Sequence, residues 1–299
     1  MKKKIIVLGA HGMLGWKIVN RFKDSKFDLI CQVRNLKSKN QLIKKLKLKK
    51  NVKFFYYDIE KNKVSNLLKI ISQNDIIINC TGKIKPFIND NIQAQINSAL
   101  KVNSLFPMQL SKIIKKKNIK IYQIATDCVF DGNKGNYNEI SDHNPKDVYG
   151  KTKSLGEIKE KGFFNIRVSI IGKELDTNNS LVEWFLSNRN KKKVFGFSNH
   201  LWNGVTTTVF SEILFTIINK NIKIPNTLHL VPKDKVNKYK LLLLLKKHYK
   251  TNNLEVIKKK GTISVNRVLK TLYGKLNEKI WLKSIYKKKL SINEVVSTL

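Results

Sequence analysis

The chain has 299 residues, enough for one large α/β unit or two lobes with a substantial core. Apolar residues make up 41%, and no apolar run approaches the roughly 20 residues that cross a bilayer, which excludes a spanning helix. The 59 basic residues exceed the 21 acidic ones by 38, but only five are arginines, and the lysines are spread along the chain. Nucleic-acid readers favour clustered arginine, so we expect solvated lysine faces that attract small phosphate-bearing molecules, and no specific nucleic-acid partner.

Apolar, β-rich runs alternate with amphipathic segments from the start of the chain to residue 171. The runs predict six strands, at residues 4–8, 28–33, 53–57, 75–79, 119–125 and 165–171. Between them, segments such as 14–22 and 99–115 have a helical pattern. Continuous apolar strands separated by helices are typical of a parallel sheet covered on both faces. Right-handed crossovers then give an α/β, doubly wound (Rossmann) fold.

After residue 172 the pattern loosens into polar and aromatic segments. A further strand signal at 227–231 predicts that the chain returns to the sheet. We therefore expect a dinucleotide-binding domain at 1–172, which residues 204–233 rejoin, and a smaller, discontinuous substrate-binding lobe at 173–203 and 234–299. The leucine run 241–245 is flanked by lysines, which indicates the buried part of a short helix.

The cysteines and the N-terminus indicate the compartment. Cys31, Cys80 and Cys128 are far apart and odd in number, without the spacing of zinc ligands, so we expect neither a metal site nor a disulfide framework. The opening MKKKIIVLGAHGMLG has the outline of a secretory signal. Its apolar core is shorter than the ~7–15 residues that a signal needs, and no small-x-small cleavage site follows. A reducing cytoplasm is therefore expected.

Three glycines follow the first predicted strand as G-x-x-G-x-x-G: Gly9, Gly12 and Gly15. Such a turn allows a tight bend, close approach of the backbone to a pyrophosphate and close packing of helix on strand. The helix N-terminus then offers N–H groups to the phosphates. A tight βα turn without a ligand is the alternative, but the position in the first βα unit favours cofactor binding. The intervening candidate contacts are His11, Met13 and Leu14.

The end of the second strand distinguishes the two nicotinamide cofactors. An acidic residue there binds the ribose 2′-hydroxyl of NAD, whereas this chain has CQVRNLK, with Arg34. A guanidinium suits a 2′-phosphate, which favours NADPH over NADH, and a solvated loop charge is the alternative. After the third strand, a carboxylate could accept a hydrogen bond from the adenine amino group. At the end of the fourth strand, small residues would leave room for the cofactor. These candidates are Asp58, Ile59, Cys80, Thr81 and Gly82.

The segment DVYGKTKSLGE contains Tyr149 and Lys153. In a helix, residues four apart share a face, so the ammonium is expected beside the phenol. At ~4 Å and an effective dielectric of ~20, its attraction favours the phenolate by ~4 kcal/mol, about three pKa units. A phenol acidified in this way can protonate a carbonyl oxygen as hydride reaches its carbon. Thr126, at the end of the fifth strand, can donate its hydroxyl to the same oxygen.

Together, the glycine turn, TDCVFDG at 126–132 and Tyr149-x-x-x-Lys153 resemble the extended short-chain dehydrogenase/reductases, and within them the dTDP-4-dehydrorhamnose reductases. The likeness runs from residue 1 to 172 and continues faintly through NHLWNGVTT at 199–207. It implies an enzyme, an NADPH-dependent oxidoreductase that reduces a 4-keto sugar nucleotide for surface polysaccharide synthesis. It also implies that Tyr149 is the proton donor, that Lys153 holds the nicotinamide ribose and that Thr126 orients the carbonyl. Asn103 matches the family's asparagine that supports this group.

The chain also departs from the family pattern. The family usually has tyrosine in place of Cys128, and NHLWNGVTT differs from the usual segment, so the resemblance implies neither the nucleotide nor the sugar. A small buried residue is the alternative role for Cys128. Trp202 could stack on a base or belong to the core. The candidate substrate contacts are Asp127, Cys128, Phe130 and Trp202.

Proteins of related fold include dehydratases and epimerases. A dehydratase typically has an Asp–Glu pair after the threonine, and Cys128 replaces the glutamate, which argues against elimination. An epimerase would use the same tyrosine and lysine. A non-catalytic NADP-binding subunit is also open, because the regulatory subunit of methionine adenosyltransferase resembles these reductases. The expected partner is a small nucleotide sugar, and a homodimer is also considered.

Overall fold

The structure, a computed structural model, describes residues 3–49 and 52–299. In this part of the chain the helices are α1 (Gly15–Phe22), α2 (Leu36–Leu46), α3 (Gln93–Leu100), α4 (Phe106–Lys117), α5 (Val148–Leu155), α6 (Leu181–Ser187), α7 (Thr207–Asn219), α8 (Lys238–Tyr249), α9 (Gly274–Lys283) and α10 (Ile292–Val296). The strands there are β1 (Lys4–Leu8), β2 (Asp28–Val33), β3 (Lys53–Tyr56), β4 (Ile76–Asn79), β5 (Lys120–Ala125), β6 (Phe163–Arg167), β7 (Ile170–Ile171), β8 (Lys193–Phe197), β9 (His200–Trp202), β10 (Val205–Thr206), β11 (Thr227–His229), β12 (Val236–Asn237), β13 (Glu255–Lys259) and β14 (Val265–Asn266). None of these helices has both the length and the apolar character that a bilayer crossing requires.

The chain forms two compact units. Unit 1 comprises Met1–Val129, Asn144–Arg167 and Ile224–Leu228. Unit 2 comprises Phe130–His143, Val168–Lys223 and His229–Leu299.

A seven-stranded sheet in the order β11-β6-β5-β4-β1-β2-β3 organises unit 1. The pairs from β3 through β6 are parallel, with helices in the crossovers, which confirms the predicted doubly wound fold. The strand order reverses at β1, so a crevice opens between β1 and β4 at the carboxyl edge. In folds of this kind, ligands bind at that crevice.

Apolar side chains on the strands explain why this sheet forms. Leu8, Ile77 and Ile121, on three adjacent strands, are almost fully buried in one cluster. Phe106 and Leu110 of α4 pack into the same cluster and cover that face of the sheet. Full burial of such side chains contributes about 1.5–3 kcal/mol each, which favours strands that are apolar on both faces.

Two predicted elements differ from those observed. The run predicted as one strand at 165–171 is divided, because β6 ends at Arg167 and Ile170–Ile171 form the separate strand β7. Between them, the Ser169 carbonyl accepts from the Val205 amide at 2.9 Å, which directs the chain to β10. The helix predicted at 99–115 is α3 and α4, joined by a π-helical turn at Lys101–Leu105.

Unit 2 combines three small sheets, β7–β10, β9–β12–β14 and β8–β13, with helices. One core cluster of this unit contains Leu241, Leu242 and Leu245 of α8. They pack with Phe185 of α6 and Val194 of β8. The leucine run therefore lies in a short helix with a buried face, as its flanking lysines predicted.

Candidate active site

The glycine turn between β1 and α1 needs glycine at two positions for different reasons. Gly9 has a φ of +73°, which side chains rarely adopt, and its amide donates to Gln32 Oε1 at 2.7 Å. At Gly15, a Cβ would lie 2.0 Å from the Gly9 carbonyl oxygen, so a side chain there would push α1 away from the turn. Gly12 is exposed, and Leu14, the residue before α1, makes no side-chain cap. The Gly12 amide donates to the Gly9 carbonyl at 3.0 Å, which closes the tight turn before α1, and a helix N-terminus of this kind is where phosphates bind.

A two-residue connection follows β2 and carries Arg34. Asn35 caps α2 by accepting from the Ser38 amide at 2.9 Å, so the helix starts directly after the connection. Arg34 is exposed at this edge of the sheet. Nearby, His11 Nε2 lies 2.8 Å from Gln41 Oε1 and links the glycine turn to α2.

Asp58 and Ile59, both half-buried, follow β3. Asp58 Oδ1 accepts from the Glu60 amide at 2.9 Å, and the Asp58 amide donates to Asn62 Oδ1 at 2.7 Å. One carboxylate oxygen of Asp58 therefore stabilises the turn that follows β3. Asp58 thus has a structural role in addition to its predicted contact with adenine.

Cys80, Thr81 and Gly82 follow β4, directly opposite the glycine turn. A Cβ on Gly9 would lie 3.1 Å from the backbone of Cys80 and Thr81, so the two strand ends approach closely. Thr81 Oγ1 donates to Asn79 Oδ1 at 2.6 Å, which fixes this end of the strand. Burial raises the pKa of the Cys80 thiol, which keeps it protonated and unreactive. At Gly82, a Cβ would meet Asn103 Oδ1 at 3.6 Å, an ordinary contact distance.

Asn103 lies in the π-helical turn and joins two parts of the site. Its Oδ1 accepts from the Lys83 amide at 2.9 Å, and its Nδ2 donates to the Lys83 carbonyl at 3.0 Å. The same Nδ2 lies 3.1 Å from Thr152 Oγ1 on α5. Ser104 Oγ adds a 2.7 Å bond to the Thr152 carbonyl. The turn therefore fastens the segment after β4 to the helix that carries Tyr149 and Lys153.

Helix α5 holds Tyr149 and Lys153 one turn apart, as predicted. Asp147 caps the helix by accepting from the Gly150 amide at 2.8 Å. Gly150 lies so close to the Cys128 carbonyl oxygen that a Cβ would be 2.3 Å from it. This close packing places Tyr149 beside Thr126, at the end of β5, where the threonine hydroxyl acts to lower the pKa of the phenol.

The pKa of Tyr149 shifts in the direction opposite to the sequence expectation. Burial, as the largest effect, raises its pKa, and the neighbouring Cys128, Asp127 and Asp147 also raise it. The hydrogen bond with Thr126 lowers the pKa by less than these effects raise it. The predicted acidification by Lys153 is therefore wrong for this structure, because a buried phenolate loses its hydration. Tyr149 stays a neutral phenol at physiological pH.

Lys153 is buried, and its ammonium donates to the Ile124 carbonyl at 2.8 Å instead of contacting the phenol. Burial lowers its pKa to about 8, against the opposing influence of Glu157 and Cys80. The cationic form is consequently retained at neutral pH but lost in mildly alkaline solution.

The four predicted substrate residues divide between the units. Asp127 and Cys128 adjoin Thr126 in a short helical turn of unit 1, where the Cys128 amide donates to Thr126 Oγ1 at 3.2 Å. In unit 2, Phe130 is fully buried and stacks on Tyr137 at 4.2 Å between ring centroids. Trp202 is 4% exposed, and its Nε1 donates to Ser169 Oγ at 2.9 Å. This burial favours core roles for Phe130 and Trp202 over contact with a substrate.

Lys85 is a residue near Tyr149 that sequence reasoning missed. Its ammonium lies 5.9 Å from the centroid of the Tyr149 ring and forms an ion pair with the Asp147 carboxylate. The only signal was its place in CTGKIK directly after the fourth strand, which a lysine-rich sequence obscures.

The residues at the carboxyl edge of unit 1 suit a dinucleotide. The glycine turn at the start of α1, the close strand ends at Gly9 and Cys80, and an exposed guanidinium at Arg34 suit the pyrophosphate and a 2′-phosphate. Beside them, the Thr126–Tyr149 pair offers a protonated phenol next to a hydroxyl. Such a pair can protonate an oxygen.

Comparisons with known proteins agree with this geometry. A family model described as RmlD substrate binding domain matches residues 2–275. The methionine adenosyltransferase 2 subunit beta of Rattus norvegicus is 25% identical over 156 residues, which cover 52% of this chain and 42% of that protein. A dTDP-4-dehydrorhamnose reductase of Aggregatibacter actinomycetemcomitans is 33% identical over 97 residues, 29% of this chain and 33% of that protein. The matches thus span less than half the length of these relatives.

Among solved structures, a dTDP-4-dehydrorhamnose reductase from Bacillus anthracis in complex with NADP has a TM-score of 0.76 and 17% identity. The match covers 100% of this chain and 98% of that one, which shows that the fold is shared. Because the family model extends over almost the entire chain, this protein belongs to the RmlD substrate binding domain family.

Proposed function

We propose that this protein is an NADPH-dependent reductase of a 4-keto sugar nucleotide, similar to dTDP-4-dehydrorhamnose reductases, in surface polysaccharide synthesis. The observation that carries the proposal is the position of Tyr149 beside Thr126, at the end of β5, and one helical turn from Lys153. The pair lies at the carboxyl edge of the sheet that also carries the glycine turn. The fold likeness to a reductase solved with NADP supports the same cofactor class.

NADPH would supply hydride when it is bound. The start of α1, directly after the glycine turn, would hold its pyrophosphate. Arg34 would bind the 2′-phosphate, and Asp58 and Ile59 would adjoin the adenine. The end of β4, from Cys80 to Gly82, leaves room for the cofactor beside it. Lys153 would donate to the hydroxyls of the nicotinamide ribose.

Tyr149 supplies the proton in this proposal. Its raised pKa keeps the phenol protonated, and reduction of a carbonyl requires that state. Thr126 would donate its hydroxyl to the substrate oxygen and fix the direction of proton transfer. Asp127 and Cys128, which adjoin Thr126, would contact the sugar. Asn103 positions α5 through Thr152 and the Lys83 backbone.

A non-catalytic NADP-binding subunit is the second candidate. The similarity to methionine adenosyltransferase 2 subunit beta over 156 residues favours it. The retained Thr126, Tyr149 and Lys153 favour catalysis instead, because cofactor binding alone does not require a proton donor. An epimerase would use the same residues without net consumption of NADPH.

Product analysis separates these functions. The protein is incubated with NADPH and dTDP-4-dehydrorhamnose, and in parallel with a UDP-linked 4-keto sugar. A reductase oxidises one NADPH for each alcohol formed, which is our expectation. Inversion without net oxidation would indicate an epimerase. Binding of NADPH without any turnover of either sugar would favour the non-catalytic subunit.

We also propose a cytoplasmic location and a homodimer. Cys31, Cys80 and Cys128 are thiols rather than disulfides, which suits a reducing compartment. We propose in addition that the substrate is a small nucleotide sugar and that the protein has no specific nucleic-acid partner. Light scattering tests the assembly, and a monomer at micromolar concentration would contradict it.

A further inference from the structure

Lys85 is a cation held beside the proposed proton donor. It begins a short helical turn, Lys85–Phe87, shortly after β4. Its ammonium lies 5.9 Å from the centroid of the Tyr149 ring and pairs with Asp147. The side chain is 45% exposed, so it lies at the surface of the site.

The position of this ammonium is fixed by the start of α5. Asp147 uses Oδ2 for Lys85 and Oδ1 for the Gly150 amide at 2.8 Å. Asp90, from the segment that also carries Lys85, accepts from the Val148 amide at 3.1 Å. The two carboxylates therefore tie this segment to the helix that bears Tyr149. A cation positioned in advance loses little conformational entropy when it binds a ligand.

Lys85 retains capacity for a second anionic partner. An ammonium has three donors, and the ion pair with Asp147 uses one of them. The negative charge of Asp147 is partly offset by the positive end of α5, whose Gly150 amide it binds. By contrast, the ammonium of Lys153 is buried against the Ile124 carbonyl, and that of Lys83 lies 3.8 Å from Glu60.

The chemistry of the proposed substrate supplies such an anion. In a 4-keto sugar nucleotide, the diphosphate is attached at C1, across the six-membered ring from the C4 carbonyl. If Tyr149 protonates that carbonyl, the diphosphate lies about one sugar ring away. Lys85, whose ammonium lies 5.9 Å from the centroid of the Tyr149 ring, is a partly exposed cation beside the phenol.

We propose that Lys85 binds the diphosphate of the sugar nucleotide and so contributes to substrate specificity. This inference rests on the proposed function, because it requires a nucleotide-linked substrate. Lys85 would hold the diphosphate end of the substrate while Tyr149 faces the carbonyl. It would favour nucleotide sugars over free sugars of the same structure.

The test compares nucleoside diphosphates with nucleosides, so it needs no turnover. Binding of dTDP and thymidine, and of UDP and uridine, is measured by calorimetry in the presence of NADPH. The variants are Lys85→Gln, Lys85→Arg and, as a matched loss of charge, Lys151→Gln. Lys151 is an exposed residue on α5, the same helix as Tyr149. NADPH affinity and melting temperature report whether each variant keeps its fold.

Loss of a charge-assisted hydrogen bond should weaken diphosphate binding about tenfold to a hundredfold in Lys85→Gln. Nucleoside binding should not change, and Lys85→Arg and Lys151→Gln should remain within about threefold of wild type. An unchanged ratio of diphosphate to nucleoside affinity in Lys85→Gln would overturn the inference. The inference would also be overturned if wild type bound dTDP no more tightly than thymidine and UDP no more tightly than uridine. If diphosphate binding depends on Lys85 but no keto sugar is reduced, only the proposed function fails.

Discussion

Burial acts on the two central side chains, Tyr149 and Lys153, by penalising the charged form of each. It raises the pKa of Tyr149 and lowers the pKa of Lys153 to about 8. At neutral pH the phenol is therefore protonated, and most of the lysine is cationic. Both states suit reduction, because the phenol has a proton to give and the cation can hold the ribose.

The pKa of Lys153 predicts a pH dependence. Reductive turnover should fall as the pH rises through about 8, where Lys153 loses its charge while Tyr149 remains protonated. Stability should change in the opposite direction. Between pH 8 and 10.5 the unfolded chain holds a proton on Lys153 that the folded chain has released, so the contribution of Lys153 to the free energy of unfolding should rise with pH.

Denaturant titrations of wild type and Lys153→Met from pH 7 to 10.5 measure this difference. The free energy of unfolding of wild type, measured relative to that of Lys153→Met, should rise with pH, and Lys151→Met should behave like wild type. Parallel pH curves for wild type and Lys153→Met would show that burial does not lower the pKa of Lys153.

Arg34 predicts cofactor selectivity. Arg34→Gln should weaken NADPH binding at least about tenfold, because a charge-assisted contact with the 2′-phosphate is lost. NADH binding should change little, since NADH has a hydroxyl at that position. Fluorescence titration of both cofactors measures the effect, with the exposed Arg189→Gln as a control. An equal loss for NADPH and NADH would contradict the role of Arg34.

At the scale of elements, the approach of α1 to the glycine turn and the contact of the π-helical turn with α5 shape the site. In both places a missing Cβ allows the approach. A Cβ on Gly15 would lie 2.0 Å from the Gly9 oxygen, and one on Gly156 would lie 1.9 Å from the Asn103 oxygen. These glycines thus position α1 for the cofactor and hold Asn103 against the end of α5.

A pair of glycines, each the first residue of its helix, tests this packing. Gly15→Ala should displace α1 and weaken NADPH binding at least about tenfold, because the contact is with rigid backbone. Gly274 is the first residue of α9, and a Cβ there would have no atom within 4 Å. Gly274→Ala should therefore leave NADPH binding unchanged and stabilise the fold by up to about 1 kcal/mol. Thermal melts and cofactor titrations measure both, and a Gly15→Ala variant with wild-type affinity would refute the packing argument.

At the scale of the whole molecule, the parallel sheet could be predicted because its strands are buried on both faces and therefore continuously apolar. The predicted bounds of β1 and β2 match those observed, and those of β3, β4 and β5 differ by one residue at one end. The break after Arg167 could not be predicted, since Ile170 and Ile171 are as apolar as a continuing strand. Their pairing depends on Val205, far along the chain.

The site was only partly predictable for a similar reason. The sequence places Tyr149 and Lys153 one turn apart, and the structure does the same. The sequence does not show where the Lys153 amine points. The amine donates to the backbone carbonyl of Ile124, and a backbone acceptor cannot be recognised from residue type. Lys85 shares this difficulty, because in a chain with 59 basic residues position alone does not distinguish it. Local spacing can thus be predicted, whereas long-range contacts and burial cannot.

Single-turnover oxidation of bound NADPH by the keto sugar nucleotide tests the role of Tyr149 most directly. Tyr149→Phe should bind NADPH with an affinity within about twofold of wild type, because the ring is retained and only the hydroxyl is lost. Its rate of NADPH oxidation should fall by about 10²- to 10⁴-fold, the usual effect of removing a general acid. Tyr273→Phe, at an exposed tyrosine, should keep the wild-type rate. A Tyr149→Phe protein that oxidises NADPH at the wild-type rate would contradict the assignment of Tyr149 as the proton donor.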